Sequence, residues 1–281
     1  MEHSFGYYKK MKYNEINMYH YYGVSMHCGS AFITGGSNTL FFRLLTNDIH
    51  DVTRPTKGGL FTMYLYLSLA LTICAAIGFG YGLFRFFRDQ SALYVRMIIF
   101  AVGCAMLGRL FETLQLLVIG ELYNGFHVGI LGIIGSFLFL FSANFGQMDS
   151  IVDDGSSEFL KTRIISLAAP LVMVAIWCMI AIPKGLNEST ISLGIETLFI
   201  ALASYFHLKH LIIKDVAFGL IRSIRSYNLL SLIYAFLCMI EMVVESFNLP
   251  IVWIAIVYIL QCAVLLAFVP VLERGVKKWT T

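Results

Sequence analysis

Charge is what this 281-residue chain has least of: Asp, Glu, Lys and Arg together make up 13% of it, and proline occurs 5 times. So little charge, with 58% hydrophobic residues and a mean hydropathy of +0.77, excludes a disordered chain and a single soluble domain, because one core could not hide that much apolar surface. A net charge of +3 leaves no electrostatic footprint for nucleic acid. Cysteine is also sparse. Cys74, Cys104, Cys178, Cys238 and Cys262 stand singly in apolar runs, Cys28 lies in the N-terminal segment, and no C-x-x-C pair occurs. They read as small packing residues rather than a disulfide or metal framework. H-E-x-x-H and G-x-S-x-G are absent, and the last apolar run has no mid-span lysine for a retinal Schiff base. No enzymatic activity and no cofactor or metal are expected. No apolar core of signal-peptide length lies near Met1.

What is present is a series of long apolar runs. A membrane-spanning helix takes about 20 mainly apolar residues. Seven stretches qualify, near 60–84, 95–119, 126–147, 164–183, 191–210, 228–247 and 250–271. Lipid offers no partner to an unpaired backbone amide, so each run must be helical, and continuous apolarity rules out the alternating strands of an outer-membrane barrel. The fold class is an all-α integral membrane protein, a seven-transmembrane-helix bundle. Lys and Arg alternate from connector to connector. Arg85, Arg88 and Arg96 follow the first run, Lys161 and Arg163 the third, Lys209, Lys214, Arg222 and Arg225 the fifth, and Arg274, Lys277 and Lys278 the last. The other connectors hold only Lys184. By the positive-inside rule the N-terminus lies outside and the C-terminus in the cytoplasm, in a cell membrane of bacterial type.

Residues 1–57 sit awkwardly in that topology, because they carry Lys9, Lys10, Lys12, Arg43, Arg54 and Lys57 on the outer side. Long tails translocate largely regardless of charge. The segment is rich in tyrosine without periodicity and reads as a poorly ordered extension ahead of the 58–281 helical domain. Translation from Met63 is the other reading.

Carboxylates interrupt the apolar runs. Glu112, Glu196, Glu241 and Glu245 stand where hydrocarbon tolerates a charge only with a partner. With each run's midpoint at the bilayer centre and about 1.5 Å per residue, Glu112, Glu196 and Glu241 all fall about 5 Å toward the outside. Arg109 lies one turn below Glu112, Glu245 one turn above Glu241, and Gln261 near the centre. Tyr234, Tyr258 and Ser68 would add hydroxyls, and His127 would sit at the outer mouth. One arginine cannot neutralise four glutamates, so some are protonated or a cation completes the set. The expected ligand-binding site is thus a polar cavity opening outward, lined by Arg109, Glu112, Glu196, Glu241, Glu245, Gln261, Tyr234, Tyr258 and His127. An internal ion pair that only fixes helix packing is the plainer alternative.

Other features read as structural. Gly78, Gly80 and Gly82, and Gly125, Gly129, Gly132 and Gly135, form small-residue stripes suited to close helix packing. His207 and His210 share a helical face beside Lys209, and a solvated cytoplasmic rim is expected there rather than a metal. Asp149, Asp153, Asp154 and Glu158 do not match a calcium loop and read as a solvated linker. Segment 208–227 mixes basic and apolar positions, as an interfacial helix or a docking face would, with attraction to anionic headgroups the simpler reading.

Across about residues 60–275 the arrangement is similar in topology to the seven-helix membrane regions that precede signalling domains in some bacterial sensor proteins, certain histidine kinases among them. The resemblance implies a sensor or receptor-like module. The chain ends within about ten residues of the last run, so output would pass to a separate cytoplasmic partner, through 148–163 and 208–227. The ligand at the outer site would be a small molecule or a proton. The alternative is a proton- or cation-coupled small-solute transporter, although Pro170, Pro183, Pro250 and Pro270 all lie near run ends and no internal repeat is evident.

Overall fold

A computed structural model of the chain describes residues 57–86, 93–120, 125–145, 149, 153–213 and 220–280. The expectation of a poorly ordered N-terminal extension lies outside these residues. The described regular structure is helical: α1 (Lys57–Phe86), α2 (Leu93–Ile119), α3 (Val128–Asn144), a 3-10 turn at Ser157–Phe159, α4 (Leu160–Ser166), α5 (Ala168–Lys184), α6 (Glu188–Ile212), α7 (Leu220–Ser246) and α8 (Ile251–Thr280). Met63 falls inside α1, so a start there would cut into that helix.

The protein is an all-α, multi-pass membrane protein. Among the described residues, six stretches are long and apolar enough to cross a bilayer: Phe61–Phe86, Leu93–Ile119, Ser157–Lys184, Glu188–Ile212, Arg225–Ser246 and Ile251–Gly275. Helix α3 is the shorter one. Its 17 residues reach about 26 Å, a little under the hydrocarbon core of about 30 Å. The third apolar run was expected over 126–147, and both ends are trimmed by identifiable caps. His127 is extended and accepts a bond from the Gly129 amide through its side chain, while Phe145 turns extended after bonding back to the Phe141 carbonyl.

The fourth run is two helices. Pro170 cannot donate, and its ring crowds the carbonyl four residues back, at Ser166, where α4 stops; α5 restarts at Ala168 with Pro170 in its first turn. At the far end of α5 a glycine with φ of 72°, Gly185, reverses the chain, and Asn187 begins α6 with a reciprocal capping box to Thr190. Between α7 and α8 the reversal rests on Asn248, whose φ of 49° a short polar side chain tolerates, followed by Pro250 at the start of α8.

Helices α1, α2, α3, α6, α7 and α8 pack each against the next, and α8 closes back onto α1; α5 lies against α6 and α7. Glycine makes the tightest seams. A Cβ on Gly132 of α3 would stand 2.4 Å from the Gly108 Cα of α2, and one on Gly78 of α1 would stand 2.7 Å from the Leu265 carbonyl oxygen of α8. Neither backbone could approach so closely with a side chain between them. The expected α1 stripe is thereby corrected in one position, since Gly82 abuts Ile99 but Gly80 meets nothing within 4 Å.

Candidate functional site

Arg109 of α2 is 4% exposed and organises the ring's interior. Its guanidinium donates to both carboxylate oxygens of Glu241 on α7, each at 2.5 Å, to Glu112 Oε2 one turn along its own helix at 3.0 Å, and to Gln261 Oε1 on α8 at 3.2 Å. Gln261 Nε2 in turn donates to Glu241 Oε2 at 2.8 Å. A planar guanidinium fits a carboxylate with two parallel bonds, a geometry lysine cannot copy. The Tyr258 ring lies 5.8 Å from the guanidinium carbon.

One turn further along α7, Glu245 accepts from the Tyr64 hydroxyl at 2.6 Å and the Tyr258 hydroxyl at 3.3 Å, and the two rings meet edge to face with centroids 6.1 Å apart. On the other side of Arg109, Thr113 donates to the Arg109 carbonyl at 2.8 Å and shares bonds with Ser68 and Thr72 of α1. This polar ladder of α1 completes the site. Ser68 was expected, whereas Tyr64 and Thr72 were not. Their signal was the spacing 64, 68, 72, one residue per turn on a single face.

The sequence-derived site residues therefore divide. Arg109, Glu112, Glu241 and Gln261 form one bonded network, and Glu245 and Tyr258 adjoin it. Glu196 of α6 is 7% exposed and lies within electrostatic reach of Glu241, Arg109, Glu112 and Glu245, yet it has no hydrogen bond or ion pair among the described residues. Tyr234 is buried with its ring stacked on Phe137 and edge-on to Phe268, and its hydroxyl has no partner among the described residues. His127 caps α3 and stacks on Phe111. Among the described residues it borders the site at Gly129, where an added Cβ would lie 2.7 Å from the imidazole and 2.9 Å from the Glu112 Cγ.

A second polar cluster occupies the opposite end of the ring. Asn144 of α3, His207 of α6 and Asn228 of α7 are mutually bonded at 2.6–2.8 Å. Next to them Lys209 bridges Asp149 and Asp153 at 2.7 Å each, His210 Nε2 lies 3.2 Å from Asp149, and Arg163 holds Asp153 with two prongs. The expected solvated rim is wrong: His207 is 1% exposed and His210 fully buried. The linker expected around Asp149 and Asp153 is likewise an ion-paired structure. Burial would raise the Asp149 carboxyl, but hydrogen bonds from His210 and Lys209 outweigh it and hold the group below its ordinary value. Hydrogen bonds from Arg163, helped by Lys209 and the Gly155 amide, hold Asp153 far below the usual carboxylate range against its partial burial.

Of segment 208–227, which was expected as an interfacial helix or docking face, residues 214–219 lie outside the described residues. Its described part is the end of α6 and the start of α7, with Lys209 turned inward and Arg225 donating to the Ile213 carbonyl. Among the described residues no His, Cys, Asp and Glu side chains group as a metal-binding set. Comparison with protein-family models, with curated proteins and with solved structures finds no match.

Proposed function

We propose that the chain is a polytopic membrane sensor module whose intramembrane carboxylate cluster takes up protons or a small cation, and that occupancy alters helix packing for a separate partner to read. The observation that carries this reading is a charge imbalance in a dry place: Arg109 faces Glu112, Glu196, Glu241 and Glu245, all within mutual electrostatic reach. A buried pair can balance itself, but an excess of carboxylates in low dielectric cannot remain charged without protons or a counter-cation. Glu196 is the group most available to a ligand, because the others already hold protein donors. The alternation of Lys and Arg supports seven crossings with the N-terminus outside, which would place the cluster in the outer half of the bilayer.

The same imbalance argues against the packing-only alternative. A purely structural pair needs Arg109 and Glu241, and gains nothing from Glu196 nearby. The test is thermal unfolding of the detergent-solubilised full chain across pH and across added sodium, potassium, calcium and small organic amines. The expected result is a midpoint that moves with pH or with one cation in the wild type and moves less in Glu196→Gln and Glu241→Gln. A wild type and variants that respond identically would leave only the packing role.

A further inference from the structure

The polar clusters at the two ends of the ring are joined along one seam, and that seam is unusual in what it leaves unpaired. Helices α6 and α7 are antiparallel in a fixed register: His207 meets Asn228, and Thr197 approaches Met239 at 3.8 Å. The first two pairings share nearly the same sum of residue numbers, which puts Ser204 near the level of Ser231 and Ile200 near that of Ala235, and Thr197 also approaches Met242 at 3.8 Å. On α7 the buried residues Asn228, Ser231, Tyr234, Cys238 and Glu241 recur every three or four positions and form a polar stripe from one cluster to the other. Over these 13 steps the helix rises about 20 Å, two thirds of a hydrocarbon core of about 30 Å.

Six buried polar atoms on or beside this seam have no hydrogen-bond partner among the described residues: Tyr234 Oη, Ser204 Oγ, His207 Nε2, Asn228 Nδ2, Tyr227 Oη and His210 Nδ1. Each belongs to a residue at most 2% exposed. Folded proteins leave few buried polar groups unpaired, and seven of the ten such atoms among the described residues, these six and Arg225 Nε, lie on α6 and α7. Cβ atoms one helical turn apart are separated by about 5–6 Å, a spacing at which a single water molecule can bridge two side-chain polar groups.

We propose that the α6–α7 seam is a proton-transfer path between the carboxylate cluster and the His210–Asp149 pair. The proposal shares its acidic terminus with the function proposed above but rests on the unpaired seam, which that reading does not require. The hydroxyls of Tyr234, Ser204 and Tyr227 and the imidazoles of His207 and His210 can each accept a proton on one side and release one on the other, whereas the Asn228 carboxamide only holds His207 in place. His207 has Nδ1 engaged with Asn144 and Asn228 and Nε2 free of them, and the Tyr227 ring lies edge-on to it at 5.4 Å. Its other near titratable neighbours are His210 and, through His210, Asp149 and Lys209. A proton taken up at one terminus displaces one from the next group along, and the last is released at the other terminus. No bond other than O–H and N–H is made or broken, and nothing is oxidised.

Tyr234 is the critical member, because the rings of Phe137 and Phe268 pack against it and leave the Cys238 thiol as the other polar group at its level. The hydroxyl also lies within electrostatic reach of Arg109 and Glu241, which links the layer to the carboxylates.

The experiment is proton flux into liposomes that contain the purified full chain and an entrapped pH-sensitive dye, with the membrane potential clamped by potassium and valinomycin. Wild-type vesicles are expected to equilibrate at least roughly tenfold faster than protein-free ones, and Tyr234→Phe to slow that flux by roughly tenfold, the effect of one barrier raised by about 1.4 kcal/mol. The hydroxyl makes no geometric hydrogen bond among the described residues and has the Cys238 thiol, a weak partner, as its near polar neighbour, so Tyr234→Phe should melt close to the wild-type temperature and a slower flux would not reflect misfolding. Ser204→Ala, at the next level of the seam, should slow flux as well. Wild-type vesicles no faster than empty ones would overturn the path, and so would flux that both variants leave unchanged. Loss of the path would leave the cation- and pH-dependent melting of the carboxylate cluster standing on its own.

Discussion

Arg109 is the residue on which the interior depends most. Three helices converge on its guanidinium, and two carboxylates and a carboxamide accept from it. Breaking a buried pair by removing one partner strands the other charge, at a cost of about 3–5 kcal/mol. Arg109→Leu should therefore lower stability by about that amount in detergent melting, and Arg109→Lys should recover only part of it, because a single ammonium cannot hold both Glu241 oxygens. At the other end, Asp153 makes a separate prediction. Its folded value is depressed, so its contribution is fully present above the unfolded value of about 4 and is lost as pH falls through the folded value. Acidification from about pH 5 toward 3 should destabilise the wild type. Asp153→Asn should already be weakened at pH 5 by about 1–2 kcal/mol and show a flatter acid limb, as read from unfolding midpoints at each pH.

Among the helices, close approach separates glycines that matter from those that do not. Gly132→Ala forces a methyl against the Gly108 backbone and should cost about 1–3 kcal/mol through displacement of α3 from α2. Gly80→Ala meets open space and should be neutral or slightly stabilising by helix propensity. Chemical or thermal unfolding of the two variants side by side decides it. Most element positions were legible in the chain, since a run of apolar residues in lipid has one backbone solution. The exceptions have local causes. Pro170 divided one run in two, and the His127 and Phe145 caps shortened another to 17 residues, effects of single side chains on backbone hydrogen bonding that average hydrophobicity does not register.

For the molecule as a whole, depth along each helix was readable and facing was not. Rise per residue put Glu112, Glu196 and Glu241 at one level; Glu112 and Glu241 meet at Arg109, and Glu196 lies within electrostatic reach of it without a contact. Facing requires knowing which helices are neighbours, and nearly featureless apolar helices give no clear polar side to orient them. Tyr64 was missed for that reason, as was the burial of His207 and His210, whose neighbouring Lys209 suggested water but is satisfied by Asp149 and Asp153. The most direct measurement is infrared spectroscopy of the full chain at neutral pH, reading the carbonyl stretch of protonated carboxylic acids. An excess of buried carboxylates over one arginine requires such a band, reduced in Glu196→Gln, or its replacement by a cation that sharpens the carboxylate bands on addition. No protonated carboxyl signal and no change with any added cation would contradict a proton- or cation-loaded cluster.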